Sequence, residues 1–289
     1  MSRNKDRLTP GPTPDAAAEP PPQVLQGAGS TEGFSFVVPT EFVELPSRGK
    51  FYPPGHPLHK QESIEIKQMT AKEEDILSSR TLLKKGIALD RVIQNLIVDK
   101  RVDPDTLIVG DKNAIIVAAR VSGYGNEYAT NVTCPSCATG QKYAFDLNTA
   151  DVYEGDNYED LGVVPQEDGT FNVLLPKTGV EVNFRLLTGY DEKRLVQGLE
   201  SDRKKKNAAD QTISRQLVSI LCSVNDDSSP EAIKYLVTNA PAMDTRHLRF
   251  SYQAVAPNVD LAQHFECNSC DHEQTMEVPL TADFFWPDR

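Results

Sequence analysis

Four of the five cysteines in this 289-residue chain form two Cys-x-x-Cys pairs, Cys134/Cys137 and Cys267/Cys270, that stand far apart. Two thiolates spaced by two residues reach one tetrahedral metal ion while the amides between them turn toward the sulfurs. Two such knuckles complete a four-sulfur ligand set and leave no position for water or substrate. The pairs therefore predict one structural zinc rather than a hydrolytic one. The competing reading is a redox-active pair at each place. A CxxC oxidoreductase requires a helix that starts at the motif inside a βαβ unit. Here the residues after each pair alternate instead: Tyr143, Phe145, Leu147 and Met276, Val278, Leu280. Alternation is the period of a strand. Cys222 sits inside an apolar run and reads as a core residue.

A constant shift of 133 residues carries the first knuckle onto the second, and the match extends beyond the cysteines. Asp111 falls on Asp244, Ile115 on Leu248, Gln141 on Gln274 and Leu147 on Leu280. Upstream, Ile64-Glu65-Ile66 is similar to Val180-Glu181-Val182. Thr70, Glu73, Glu74 and Leu77 pair with Thr188, Asp191, Glu192 and Leu195. The order strand, capped helix, amphipathic helix, helix, strand, knuckle, strand occurs twice, which points to an internal duplication. The expected fold is α+β: two structurally repeated halves joined by a split four-cysteine zinc ribbon.

The division along the chain follows composition. Residues 1–32 are rich in Pro, Gly and Ala with almost nothing apolar, so they cannot offset their ordering entropy and read as a disordered tail. Residues 33–62 form a proline-punctuated aromatic arm with Phe51, Tyr52 and, in a loop, His56 and His59. The first repeat covers 63–149. It opens with a capping box at Thr70 and Glu73 and continues with a helical stripe of Leu89, Val92, Ile93, Leu96 and Ile97. An acidic stretch at 150–169 lacks the register of a calcium loop and reads as a solvated linker. The second repeat covers 170–281. Its helical stripe is Ile213, Leu217, Ile220, Leu221 and Val224, and Ser229-Pro230 opens a further helix. Residues 282–289 are an aromatic tail, in which Phe284, Phe285 and Trp286 serve either as partner anchors or as a core plug.

A net charge of −12 argues against general nucleic-acid or anionic-membrane binding. The run Arg203-Lys204-Lys205-Lys206 reads as a solvated loop, no apolar stretch reaches membrane-spanning length, and no secretory signal is visible. The cysteine spacing fits a reducing cytoplasm. Neither a P-loop, GxGxxG, HExxH nor GxSxG occurs, so no catalytic site, small-molecule substrate or organic cofactor is expected. His264 and His272 lie near the second knuckle and are expected at the surface or behind the ligands.

The runs Leu45–Leu58, Ile64–Leu77, Gly110–Ile116, His264–Cys270 and Ala282–Pro287 resemble the baseplate-hub proteins of T-even-like contractile-tailed bacteriophages. The resemblance covers about residues 40 to 287. It implies a non-enzymatic protein of tail morphogenesis that acts in assembly of the baseplate central hub. It also implies phage tail and hub proteins as partners, in the host cytoplasm during assembly or in the virion baseplate. In the first knuckle Ala138 and Thr139 follow the second cysteine, where glycine usually eases the turn. The alternative function is a zinc-ribbon nucleic-acid-binding protein, against which the acidity counts.

Overall fold

The computed structural model describes residues 37–84, 86–155, 158–203, 211–278 and 282–285. The tail at 1–32, the lysines at 204–206, Leu280 and Trp286 lie outside these residues. Thr40–Arg289 form one compact unit, so the arm, the two halves and the segment between them share one body.

In the first half, β1 (Thr40–Glu44) and β2 (Ser63–Lys67) pair antiparallel, with Val43 opposite Ile64 and both buried. The turn after β1, Leu45-Pro46-Ser47-Arg48-Gly49, has φ of 47° at Arg48 and 68° at Gly49. A Cβ on Gly49 would lie 2.4 Å from the Gln61 amide nitrogen, so no other residue fits there. Helix α1 (Ala71–Ser78) starts at Thr70, whose amide and hydroxyl both donate to the Glu73 carboxylate at 3.0 and 2.6 Å. Next come α2 (Arg80–Lys84) and α3 (Ala88–Leu96). The stripe of α3 behaves as its spacing predicts: Val92, Ile93 and Leu96 are buried, with Ile97 following. Helix α4 (Val109–Tyr124) then leads into the hairpin of β3 (Glu127–Thr133) and β4 (Gly140–Asp146), which bears the first knuckle.

The acidic stretch is solvated at its charges, but its described residues are more than a linker. Within it β5 (Asp151–Tyr153) pairs with β10 (Asn258–Asp260), and the Tyr153 hydroxyl donates to the Ala254 carbonyl at 2.5 Å. Gly155 lies directly on the Val255 carbonyl, and Glu154 pairs with Arg48 at 2.6 Å. The charges face water, but the backbone is stitched to both halves. Strand β6 (Val164–Pro165) then begins the four-stranded sheet β6-β7-β8-β9.

The second half runs through β7 (Thr170–Leu174), β8 (Glu181–Arg185), α5 (Gly189–Arg203), α6 (Thr212–Ile220) and β9 (Leu221–Val224). It continues through α7 (Pro230–Asn239), α8 (Ala242–Val255) and β10 to the hairpin of β11 (Ala262–Glu266) and β12 (Glu273–Glu277). The stripe read for its amphipathic helix is corrected here. The helix ends at Ile220, Leu221 and Val224 lie in β9, and Ile213 is half-exposed. The leucine–valine run was ambiguous because a short apolar segment suits either element.

Backbone and charge both join the halves. The Val109 amide donates to the Leu187 carbonyl at 3.1 Å and the Gly189 amide to the Leu107 carbonyl at 2.9 Å. Lys112 is buried between Asp90 at 3.0 Å and Glu192 at 2.6 Å, and Lys193 bridges Asp90 and Asp105. Burial lowers the pKa of Lys112, but Glu192 and Asp90 outweigh that effect and hold it above its ordinary value. Gly110 carries the closest approach, since a Cβ there would lie 1.9 Å from the Pro257 carbonyl oxygen.

Candidate metal centre

Each knuckle closes one hairpin in the same way. The Cys134 amide donates to the Thr139 carbonyl and the Ala138 amide returns to the Cys134 carbonyl, both at 2.9 Å. In the second knuckle the Cys267 amide donates to His272 at 2.9 Å and the Asp271 amide to Cys267 at 3.0 Å. Such a turn forces the residue after the second cysteine into the left-handed region, and Ala138 (φ 57°) and Asp271 (φ 50°) both occupy it. The missing glycine does not open either turn. Its cost is a strained side-chain residue, roughly 1 kcal/mol apiece.

The two hairpins meet along β4 and β11. The Gln141 side-chain amide donates to the Glu266 carbonyl and accepts from the Asn268 amide, each at 2.9 Å. Gln263 makes the corresponding double contact with the backbone of Asp146, at 3.1 and 2.8 Å. The Tyr143 hydroxyl donates to the His264 carbonyl at 2.8 Å while its ring packs on Phe265. Glutamine side chains here do the pairing that backbone would do in a continuous sheet.

This docking brings all four sulfurs within 4.8 Å of one another. Two of the separations cross between hairpins: Cys134 to Cys270 at 3.8 Å and Cys137 to Cys267 at 3.7 Å. A disulfide needs about 2.05 Å, so the thiols are free. A tetrahedron with metal–sulfur bonds of about 2.3 Å has edges of about 3.8 Å, which these separations match. Cys134 and Cys267 are buried, and Cys137 and Cys270 face solvent. Hydrogen bonds from Thr139 lower the Cys137 thiol to about 6. For Cys270 the His272 amide pulls downward, but the neighbouring sulfurs, Cys137 first, push it up to about 12. Four thiolates this close repel one another unless a cation sits among them. The donor set therefore fits one soft metal ion, and neither His264 nor His272 belongs to it; the His272 ring nitrogen faces Gln274 at 3.4 Å.

The aromatic residues considered as partner anchors are placed differently. Phe284 and Phe285 are buried, so the terminus is a core plug in this respect, while Trp286 lies outside the described residues. Phe284 packs on Tyr128 at 5.0 Å, and its carbonyl accepts from Arg120 Nε at 2.9 Å. The Arg120 guanidinium is itself buried and also donates to the carbonyls of Gly125 and Glu127. Tyr52 is likewise buried, its hydroxyl 2.7 Å from Asp111, and Phe51 is half-buried against Phe171. His56 stacks on Tyr52 at 4.4 Å and bonds Thr106, so that loop is fixed. Cys222 is only half-buried, and burial raises its thiol above the ordinary value.

Two buried carboxylates were not singled out from the sequence as a pair of clamps. Asp111, in the first turn of α4, accepts from the Ser47 amide, the Ser47 hydroxyl and Tyr52. Asp244, in the first turn of α8, accepts from the amides of Lys177 and Thr178 at 2.7 and 3.1 Å. Both therefore grip the turn of a Leu-Pro-x-x-Gly segment, Leu45–Gly49 in one half and Leu175–Gly179 in the other. Those two segments are a legible sequence signal. The strand match also moves by two residues: the buried pair Ile64 and Ile66 corresponds in position to Val182 and Phe184.

The fold and the site together define a mixed helix-and-strand protein whose two knuckle hairpins converge on one four-cysteine cluster. The chain matches the family described as T4 bacteriophage base plate protein over residues 38–286, and it belongs to that family. No curated protein and no solved structure matches it. Family membership gives it a baseplate-related role among phage tail proteins.

Proposed function

We propose that this protein is a non-enzymatic factor in assembly of the baseplate central hub, held in its partner-competent shape by one structural zinc. The observation that carries this reading is the family match across almost the whole described chain, in which the one cluster of possible metal-ligating residues among the described residues consists of four thiols. Four soft ligands at tetrahedral spacing favour zinc over the harder cations. They also saturate it, which suits architecture rather than catalysis. The repeated clamps at Asp111 and Asp244 and the repeated Leu-Pro-x-x-Gly turns support descent of the halves from one duplicated unit.

The direct partners on this reading are hub and tail proteins, met in the host cytoplasm before the tail is complete. A phage lacking the protein should make its other structural proteins and fill its heads, yet produce no complete contractile tails by electron microscopy. Normal tails from that phage would refute the hub role. Normal tails with defective late transcription would transfer the site to a nucleic-acid function.

A further inference from the structure

The two halves differ in what covers their last long helix. On α4 the residues Gly110, Asn113, Val117 and Arg120 form one face at spacings of three and four. Three of them meet elements that follow later in the chain. Gly110 lies against Pro257, the Asn113 side chain bonds Asn258 at 3.0 Å, and Arg120 holds the Phe284 carbonyl. Val117 is buried. The positions 133 residues on, in α8, are Met243, Arg246, Phe250 and Gln253. All four are exposed, Met243 at 63 % and Phe250 at 46 %.

The neighbouring helices reinforce the contrast. Among the described residues, the large apolar side chains left exposed on helices all belong to the second half, Ile213, Val218 and Tyr235 among them. None lies on α1 to α4. A groove of about 280 Å³ runs between α6 and α8, lined by Gln216, Arg246, Arg249 and Phe250. Arg246 stacks on Phe250 at 5.2 Å, and neither it nor Arg249 has a carboxylate partner among the described residues. Among the described residues this groove thus presents two guanidinium groups without a carboxylate beside the exposed Phe250 ring.

The same chain carries the complement. Its residues 158–168 expose Glu159, Asp160 and Glu167, with Val164 exposed at 56 %. The exposed acids of that stretch are opposite in charge to Arg246 and Arg249, and exposed Val164 shares the apolar character of Phe250. We propose that the α6–α8 face docks the acidic residues 158–168 of a second copy of this chain, in a head-to-tail contact. A contact between two different surfaces leaves one of each free on the outer copies, so it extends to a ring or a short open array rather than stopping at a dimer. This inference does not depend on the hub role, because it concerns the isolated protein.

Sedimentation velocity on the full-length, metal-loaded chain from micromolar to submillimolar concentration tests it. The weight-average mass should rise at least about twofold at low ionic strength and fall back in high salt, since the pairing charges are exposed. R246E/R249E should remain monomeric with an unchanged melting temperature, as should E159K/D160K/E167K. An equimolar mixture of those two variants should regain the lost mass, because each reversed surface now finds its complement. A wild-type chain that stays monomeric throughout would overturn the proposal. So would association that survives R246E/R249E, or variants that fail to rescue each other.

Discussion

Removal of the metal should destabilise the protein by an amount that chain statistics can supply. The staple joins Cys134/Cys137 to Cys267/Cys270, and even the inner pair is 130 residues apart. Closing a loop of that length costs the unfolded chain about 5 kcal/mol of entropy on the cross-link model. The metal-loaded form never recovers that entropy unless it releases the ion. The contacts of Gln141, Gln263 and Tyr143 between the hairpins persist without metal, so the fold should survive, but its stability should drop by about that amount. For a body of this size, a loss of about 5 kcal/mol corresponds to a fall in melting temperature of roughly 10–20 °C. Calorimetry on protein treated with a strong chelator and a non-thiol reductant, then on the same sample reloaded with zinc, measures the difference. Elemental analysis should give one ion per chain. A fall of less than about 2 °C, or two ions per chain, would show that the knuckles act locally and do not tie the halves together.

Other substitutions read separate parts of the argument. Phe284→Ala should cost about 3–5 kcal/mol in urea unfolding; unchanged stability would return this residue to the surface role. Arg120→Met leaves the carbonyl of the buried Phe284 without its donor, together with those of Gly125 and Glu127, and should cost about 1–3 kcal/mol by the same assay. Asp191 is held below the ordinary carboxylate range: burial pulls upward, but Arg185 and the Thr188 amide and hydroxyl outweigh it. The folded pKa lies below the unfolded one, so the stabilisation is present above the unfolded value and disappears as pH falls through the folded value. The gap between wild type and Asp191→Asn should be about 1–2 kcal/mol at neutral pH, discounted for the partly exposed Arg185, and should close in acid. A gap that widened on acidification would reverse this assignment. Ala138→Gly should relieve the left-handed residue of the first knuckle and stabilise the metal-loaded protein by up to about 1 kcal/mol, and a lower melting temperature would contradict the strain.

The sequence determined what depends on local spacing and side-chain chemistry. Two CxxC pairs followed by alternating residues fixed the four-cysteine cluster and the hairpins that carry it. The i, i+3, i+4 stripe of α3, the Thr70 cap and the Ser229-Pro230 start are likewise local, and each stands where its residues demand. The tertiary structure decided what depends on contacts distant in sequence. Leu221 and Val224 become strand because β8 offers them a free edge, and Asp151–Tyr153 of the acidic stretch become strand because β10 reaches them. Tyr52, Phe284 and Phe285 turn inward because Asp111 and Tyr128, far off in sequence, provide a buried hydrogen bond and an aromatic pocket. An exposed anchor and a core plug have the same composition, and only the position of the surrounding elements separates them. Helices α4 and α8 make the same point: one face of the first is covered because Pro257 and Phe284 fold back onto it, whereas the face 133 residues on in the second faces solvent.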